Sequence, residues 1–168
     1  IFLTSSGRRE QEFKSLLVEA GYTPVAEVRL RRIKGSRVLT DAKIKLARKY
    51  IEEYSANFAI FDRELKPVQV YNVAKELNVE VLDIVQLILQ VFVRHASSAE
   101  AKLQIRLASL MYELARAKEK VRLAKLGEQP GFRGLGSYEV DVYYNHVKKQ
   151  IAIVKKKLEK VAERRRLH

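Results

Sequence analysis

The sequence predicts an α/β fold, a small four-stranded parallel sheet with flanking helices, joined to a long antiparallel coiled-coil helical hairpin. Three observations predict it. Short apolar runs alternate with helical patterns through the first half. Two long heptad series fill the second half. A glycine-rich stretch, Gly127–Ser137, separates those two series and holds four of the chain's seven glycines and one of its three prolines.

Ile1–Thr4 is a short apolar run closed by Ser5-Ser6-Gly7, which predicts a buried strand. Phe13, Leu16, Leu17 and Ala20 recur at helical spacing, and Gly21 supplies the stop. Val25–Leu30, entered from Pro24, predicts the second strand, followed by a basic loop around Arg29–Arg37. Thr40 or Asp41 can cap a helix whose apolar face is Ile44, Ala47, Ile51 and Tyr54. Phe58–Phe61 is continuously apolar, as a buried parallel strand is. Pro67 suits a first helical turn before Val70, Val73, Ala74 and Leu77, and Val79–Leu82 predicts the fourth strand. Strict alternation of this kind implies a parallel sheet with helices on its faces. Asp83 then caps an apolar helix, residues 84–96, which is too hydrophobic to be exposed. Ser97 and Glu100 have capping-box spacing and restart a helix at a bend. The predicted division is therefore residues 1–96 for the sheet domain with its closing helix, and 97–168 for the hairpin with its tip at 127–137.

In the second half, Leu103, Leu107, Leu110, Leu114, Ala117, Val121 and Ala124 follow one another at alternating steps of four and three. Val140, Tyr144, Val147, Ile151, Val154, Leu158 and Val161 repeat the pattern. Two such seams joined by a glycine-rich turn read as an antiparallel coiled coil. Arms of about 26–30 residues project the turn on the order of 40 Å at 1.5 Å per residue.

Formal net charge is +13. Residues 1–82 carry 15 Lys/Arg against 11 Asp/Glu, and residues 83–168 carry 18 against 9, so the hairpin half is the electropositive half. A nucleic-acid backbone is the leading partner class for such a surface. A thermophile's charged surface would explain the number of charges but not their sign. The sequence contains no Cys, which excludes disulfides, thiolate metal sites and Cys nucleophiles. His95, His146 and His168 are isolated, so no metal site is predicted. No apolar run approaches a membrane span and no signal peptide precedes Ile1, which predicts a soluble cytoplasmic protein with no membrane partner. Self-sealed seams predict a monomer.

No Gly-x-x-x-x-Gly-Lys-Ser/Thr pattern occurs, and no Gly-x-Gly-x-x-Gly follows a strand. The tip is the candidate contact site. Gly131-Phe132-Arg133-Gly134 matches the short tetrad that clamps a nucleic-acid backbone in KH domains, although the flanking helices are not those of that fold. Phe132 can stack on a base while Arg133 takes a phosphate or base edge. Gly136 belongs to the same loop, and Lys118, Arg122, Lys125 and Lys148 extend the positive track. The plain alternative is a connecting turn. A second candidate is Ser5, Ser6, Gly7 and Arg8, at the carboxyl end of a strand, where open α/β sheets receive phosphates; an ordinary capping turn is the plain reading there.

Several segments resemble the N-terminal part of the HflX-type translational GTPases. Phe61-Asp62-Arg63-Glu64-Leu65-Lys66-Pro67-Val68-Gln69 is similar to a family segment with acidic-Leu-x-Pro-x-Gln after a strand. Val81-Leu82-Asp83, Leu87-Ile88-Leu89 with Phe92, and Ala101–Ala108 continue the resemblance, and Arg133-Gly134-Leu135-Gly136 resembles the family's Arg-Gly-Pro-Gly. Leu135 stands where the family has proline and Ser137 where it has glutamate, and the loop around Gly35 lacks the family's Gly-x-Gly-Lys. The resemblance implies a module that binds the large ribosomal subunit and its rRNA, with the hairpin tip probing the peptidyl-transferase region. It also implies a GTPase domain following the second arm and absent from this sequence. GTP and Mg²⁺ are expected only there, so no cofactor and no GTPase activity are assigned to the residues in hand. The alternatives to a ribosome-binding module are a nucleotide-binding α/β unit using the Ser5–Arg9 turn, and a coiled-coil protein–protein interaction arm.

Overall fold

The computed structural model describes residues 2–5, 10–31, 35–126 and 135–168, and side chains at 10–31, 35–118 and 141–168. The chain divides into two compact units, Ile1–Val91 and Phe92–His168.

The first unit is built on β1 (Phe2–Ser5), β2 (Glu27–Leu30), β3 (Phe58–Phe61) and β4 (Glu80–Leu82). All pairings are parallel and the order is β2-β1-β3-β4. Side chains alternate across a strand, so β3 and β4 each feed two cores. Ala59, Phe61, Val28, Leu30 and Val81 lie in one cluster with Ile44 and Ala47 of α2 (Asp41–Tyr54) and Val70, Val73 and Leu77 of α3 (Pro67–Leu77). Ile60 and Leu82 lie in another, with Phe13 and Leu17 of α1 (Glu10–Glu19) and Leu87 of α4 (Ile84–His95).

The expected class, an α/β chain organised on a four-stranded sheet, is corrected by the proportions. The strands have only four, four, four and three residues, and β1 meets β3 at just two registered pairs, Phe2 with Ile60 and Leu3 with Phe61. Six helices occupy most of the described chain, two of them 28 and 32 residues long, so the protein is predominantly helical. The physical reason is the second half, where apolar residues recur at helical spacing throughout and no strand forms among the described residues.

Local signals explain the ends of the elements. Thr40 caps α2, its Oγ1 accepting from Lys43 N at 3.3 Å. Pro67 opens α3, where a missing N–H costs nothing. Gly21, at φ +93°, follows α1. Ser55 and Asn78 close α2 and α3 in the left-handed conformation, φ 50° and 53°. Asp83 is fully buried: Oδ1 accepts from Val85 N and Gln86 N at 3.1 and 3.3 Å, and Gln86 Oε1 accepts from Asp83 N at 3.2 Å, a reciprocal cap for α4. Its Oδ2 accepts from Leu65 N at 3.0 Å, which ties the loop after β3 to the start of α4.

Five smaller expectations need correction. The second strand begins at Glu27 rather than Val25, and the fourth at Glu80 rather than Val79. Tyr54 is half exposed, because the buried face of α2 has turned away by its last turn. Phe92 and Val93 of α4 are exposed, since a helix apolar on all sides cannot bury every side against one core. The cap at the start of α5 (Ala99–Leu126) is Ser98, whose Oγ accepts from Ala101 N at 3.0 Å, not Ser97.

The second unit contains α5 and α6 (Leu135–Arg166). They run antiparallel: Tyr143 Oη donates to Glu113 Oε2 at 3.2 Å, and Arg165 pairs with Glu100, so partners on α5 fall in number as those on α6 rise. Leu110, Val147, Ile151 and Val154 are buried along the contact, with Leu103, Leu107, Leu114 and Leu158 packed beside them. Leu135 and Gly136 are helical, which corrects the expected loop 127–137 at its far end.

Candidate functional site

The hairpin sorts its residues by helical geometry. On α6 the seam holds Val147, Ile151, Val154 and Leu158. Two residues later means a rotation of about 200° at 3.6 residues per turn, so Lys149, Lys156 and Lys160 stand on the side away from α5. All three are exposed, as are Lys148, Lys155 and Lys157. Across residues 148–160, six lysines face one acidic residue, Glu159. Lysine suits this position because its long stem reaches water easily while its charge stays solvated.

The residues singled out in the sequence fall into three groups. Lys118 and Lys148 are exposed, and Lys148 Nζ lies 5.4 Å from the centroid of the Tyr144 ring. Arg122 and Lys125 sit on α5 where only the backbone is described, and Gly136 lies in the first turn of α6. Gly131, Phe132, Arg133 and Gly134 lie outside the described residues. The lysines of α6 beyond Lys148 are not among the residues singled out by the sequence, although the run Lys155-Lys156-Lys157 and its offset from the seam are legible there. One cation of the hairpin is not available at the surface: Arg116 is buried, its Nη2 donating to Tyr112 Oη at 3.2 Å and its guanidinium lying 4.6 Å from that ring's centroid.

In the sheet unit, the order β2-β1-β3-β4 makes the chain turn in opposite directions after β1 and after β3. Ligands of open α/β sheets sit at the carboxyl ends of such a strand pair. Ser5 is the last residue of β1, and Ser6, Gly7 and Arg8 lie outside the described residues. Across from Ser5, past the end of β3, Arg63 Nε donates to Asp62 Oδ1 at 3.1 Å. The basic loop after β2 is held to α3, with Gln69 Nε2 donating to Gly35 O at 2.8 Å and Asn72 Nδ2 to Ser36 O at 2.9 Å. A depression of about 340 Å³ lies at the opposite, amino-terminal edge of the sheet, lined by Tyr22, Pro24, Val25, Tyr54, Asn57 and Phe58 among others. Tyr22 packs edge-on to Phe58, ring centroids 5.2 Å apart, and burial pushes its phenol pKa up. Among the described residues no group of three or more His, Asp or Glu side chains is placed to hold a metal ion. None of their helices is long and apolar enough to cross a membrane.

Two family descriptions divide the chain between them. Residues 8–93 match the GTP-binding GTPase N-terminal region, and residues 95–168 match the GTP-binding GTPase middle region. The chain belongs to the HflX family of GTP-binding GTPases. It is 45% identical over 161 residues to the GTPase HflX of Methanocaldococcus jannaschii, a match covering 95% of this chain and 40% of that protein. Against the GTPase HflX of Thermococcus kodakarensis it is 37% identical, covering 93% of this chain and 36% of the relative. Among solved structures it resembles a GTP-binding protein from the hyperthermophilic archaeon Sulfolobus solfataricus in complex with GDP, with a TM-score of 0.68, 27% identity, and coverage of 95% of this chain and 44% of that one. A GDP complex described as SsGBP matches with a TM-score of 0.75 at 27% identity, over 99% of this chain and 45% of that one. The chain thus spans about two fifths of the length of these HflX relatives.

Proposed function

We propose that this chain is the ribosome-binding portion of an HflX-type GTPase, its hairpin contacting rRNA of the large subunit. The observation that carries the reading is the sorting of charge on the hairpin, with apolar seam residues buried and lysines exposed on the far side of α6. A phosphate backbone is the partner that rewards such a surface, because each neutralised phosphate releases counterions. The other domain of the same polypeptide would bind GTP and Mg²⁺ and switch the affinity of the whole for the subunit. The glycine-rich segment between the two helices, with Gly131, Phe132, Arg133 and Gly134, is the part that enters the peptidyl-transferase region.

Co-sedimentation of the 168-residue chain with purified large subunits, against small subunits as comparison, tests the reading. Preferential pelleting with the large subunit supports it; equal recovery with both, or with neither, refutes it. Within that experiment, Arg133→Glu is expected to weaken binding, with a salt slope lower by about one unit for the lost phosphate contact. Phe132→Ala is expected to cost roughly 1–3 kcal/mol of binding through lost stacking, leaving the slope alone. If both variants bind as the parent does at every salt concentration, the turn is only a connector.

The sequence lacks the glycine-rich loop and lysine that cradle nucleotide phosphates, so the isolated chain is expected to give no Mg²⁺-dependent GTP turnover. Phosphate release measured with excess GTP checks this, and saturable release would return the Ser5–Arg9 turn to consideration.

A further inference from the structure

We infer that the depression at the amino-terminal edge of the sheet receives a cationic side chain, the arginine or lysine of a partner polypeptide, at the carboxyl-terminal ends of α1 and α2. At about 340 Å³ it has the size of a ligand site. Gly21 and Tyr22, which follow α1, and Tyr54 and Ser55, which end α2, line it together. Leu17 and Ile60, both buried, supply an apolar floor, and Phe58 adds a third aromatic ring. Among the described residues no Lys, Arg, Asp, Glu or His lines it.

Charge at the two helix ends selects the ligand. A helix presents the negative end of its dipole at its carboxyl terminus, where a basic residue is stabilising. α3, α4 and α6 each have one there, with Lys75, with Arg94 and His95, and with Arg164, Arg165 and Arg166. α1 and α2 have no basic residue in the last turn, although the chain holds 33 lysines and arginines. α2 closes instead on Glu52 and Glu53, both exposed. These two helices are the ones that open on the depression, so a cation from outside completes both ends. An anion would meet two negative helix ends and no basic side chain, which argues against a nucleotide phosphate in this place.

The lining favours an organic cation. Aromatic faces attract guanidinium and ammonium groups, and an apolar floor accepts the methylene stem that carries them. With the stem across Leu17 and Ile60, the charged head reaches the half-exposed ring of Tyr54 and the carboxylates of Glu52 and Glu53. A free polyamine is charged along its whole length and would set one charge against the floor, where no partner meets it. A polypeptide side chain carries a single charge at its end, and the exposed Val25 widens the apolar rim for the residues beside it.

Amide-resolved NMR titration of the 168-residue chain at fixed ionic strength is the test. The probe is the blocked tripeptide acetyl-Gly-Arg-Gly-amide, compared with the same peptide carrying citrulline, which keeps the stem and planar head without the charge. The arginine peptide is expected to shift the amides of Thr23, Val25, Ser55 and Asn57, with the citrulline peptide about fivefold weaker or more. Tyr54→Leu and Glu52→Gln/Glu53→Gln are each expected to weaken the arginine peptide by about two- to fivefold. Tyr54→Phe, which keeps the ring face, is expected to bind as the parent does. So is Glu159→Gln/Glu163→Gln, the same change of charge at exposed sites of α6. Unliganded spectra of the variants check their folding. No shift at the four amides overturns the inference. Equal binding of the two peptides also overturns it, because the depression would then take the apolar stem and not the charge. An equal loss in the two glutamate double variants overturns it as well, since that reports net charge alone. Spermidine binding more tightly than the arginine peptide at the same amides assigns the site to a free polyamine and overturns the polypeptide source.

Discussion

Asp83→Ala is expected to destabilise the sheet unit by about 2–4 kcal/mol, the sum of a lost helix cap and a buried N–H left without its acceptor. The Asp83 side chain sits wholly inside the protein and receives three backbone N–H groups, from Leu65, Val85 and Gln86. Two of them belong to the first turn of α4, and the third to the loop that leaves β3. Alanine removes both acceptor oxygens and with them all three of these hydrogen bonds. Asp83→Asn separates the two parts of the cost. Its carbonyl oxygen can still cap α4, while its amide group turns a donor toward Leu65 N, so an intermediate loss is expected. Urea unfolding followed by far-UV circular dichroism measures both variants. An alanine variant as stable as the parent would show that the loop and helix hold together by packing alone.

Leu110→Ala is expected to cost about 2–5 kcal/mol of hairpin stability, while Lys156→Ala stays within about 0.5 kcal/mol. Leu110 is only 2% exposed and lies among Val147, Ile151 and Val154 from the opposite helix. The hairpin's described core is narrow, one stripe between two helices. A cavity there cannot be refilled by a second layer. Thermal melts of the two variants under one set of conditions decide the matter, and equal shifts would mean that the seam is not the source of the hairpin's stability.

Much of the architecture could be read from local pattern. Phe58–Phe61, Pro67 and the 4-3 series from Leu103 and from Val140 each specify an element through backbone preference and spacing alone, and these elements stand where spacing puts them. Motif order overweights the sheet because it carries no element lengths. Four strands of three or four residues are a small part of a chain whose two longest helices have 28 and 32. The site was legible in kind but not in place. Net charge points to the hairpin half, and the glycine-rich stretch is the most unusual part of its sequence. The lysines of α6 look ordinary in one dimension. Their common face emerges only when a residue's position is measured by angle from the seam.

By itself the sequence determined the alternation of strands and helices, the two seams and the sign of the surface charge, since each depends on residues close together along the chain. Only the tertiary structure decided the strand order β2-β1-β3-β4, the division of the apolar residues between two cores, and the removal of Arg116 from the cationic surface. It also decided that Asp83, legible as a cap, would reach back 18 positions to Leu65. Each of these joins residues distant in sequence. Their pairing is set by which apolar faces can be covered at once, and by where a buried polar group finds its partners.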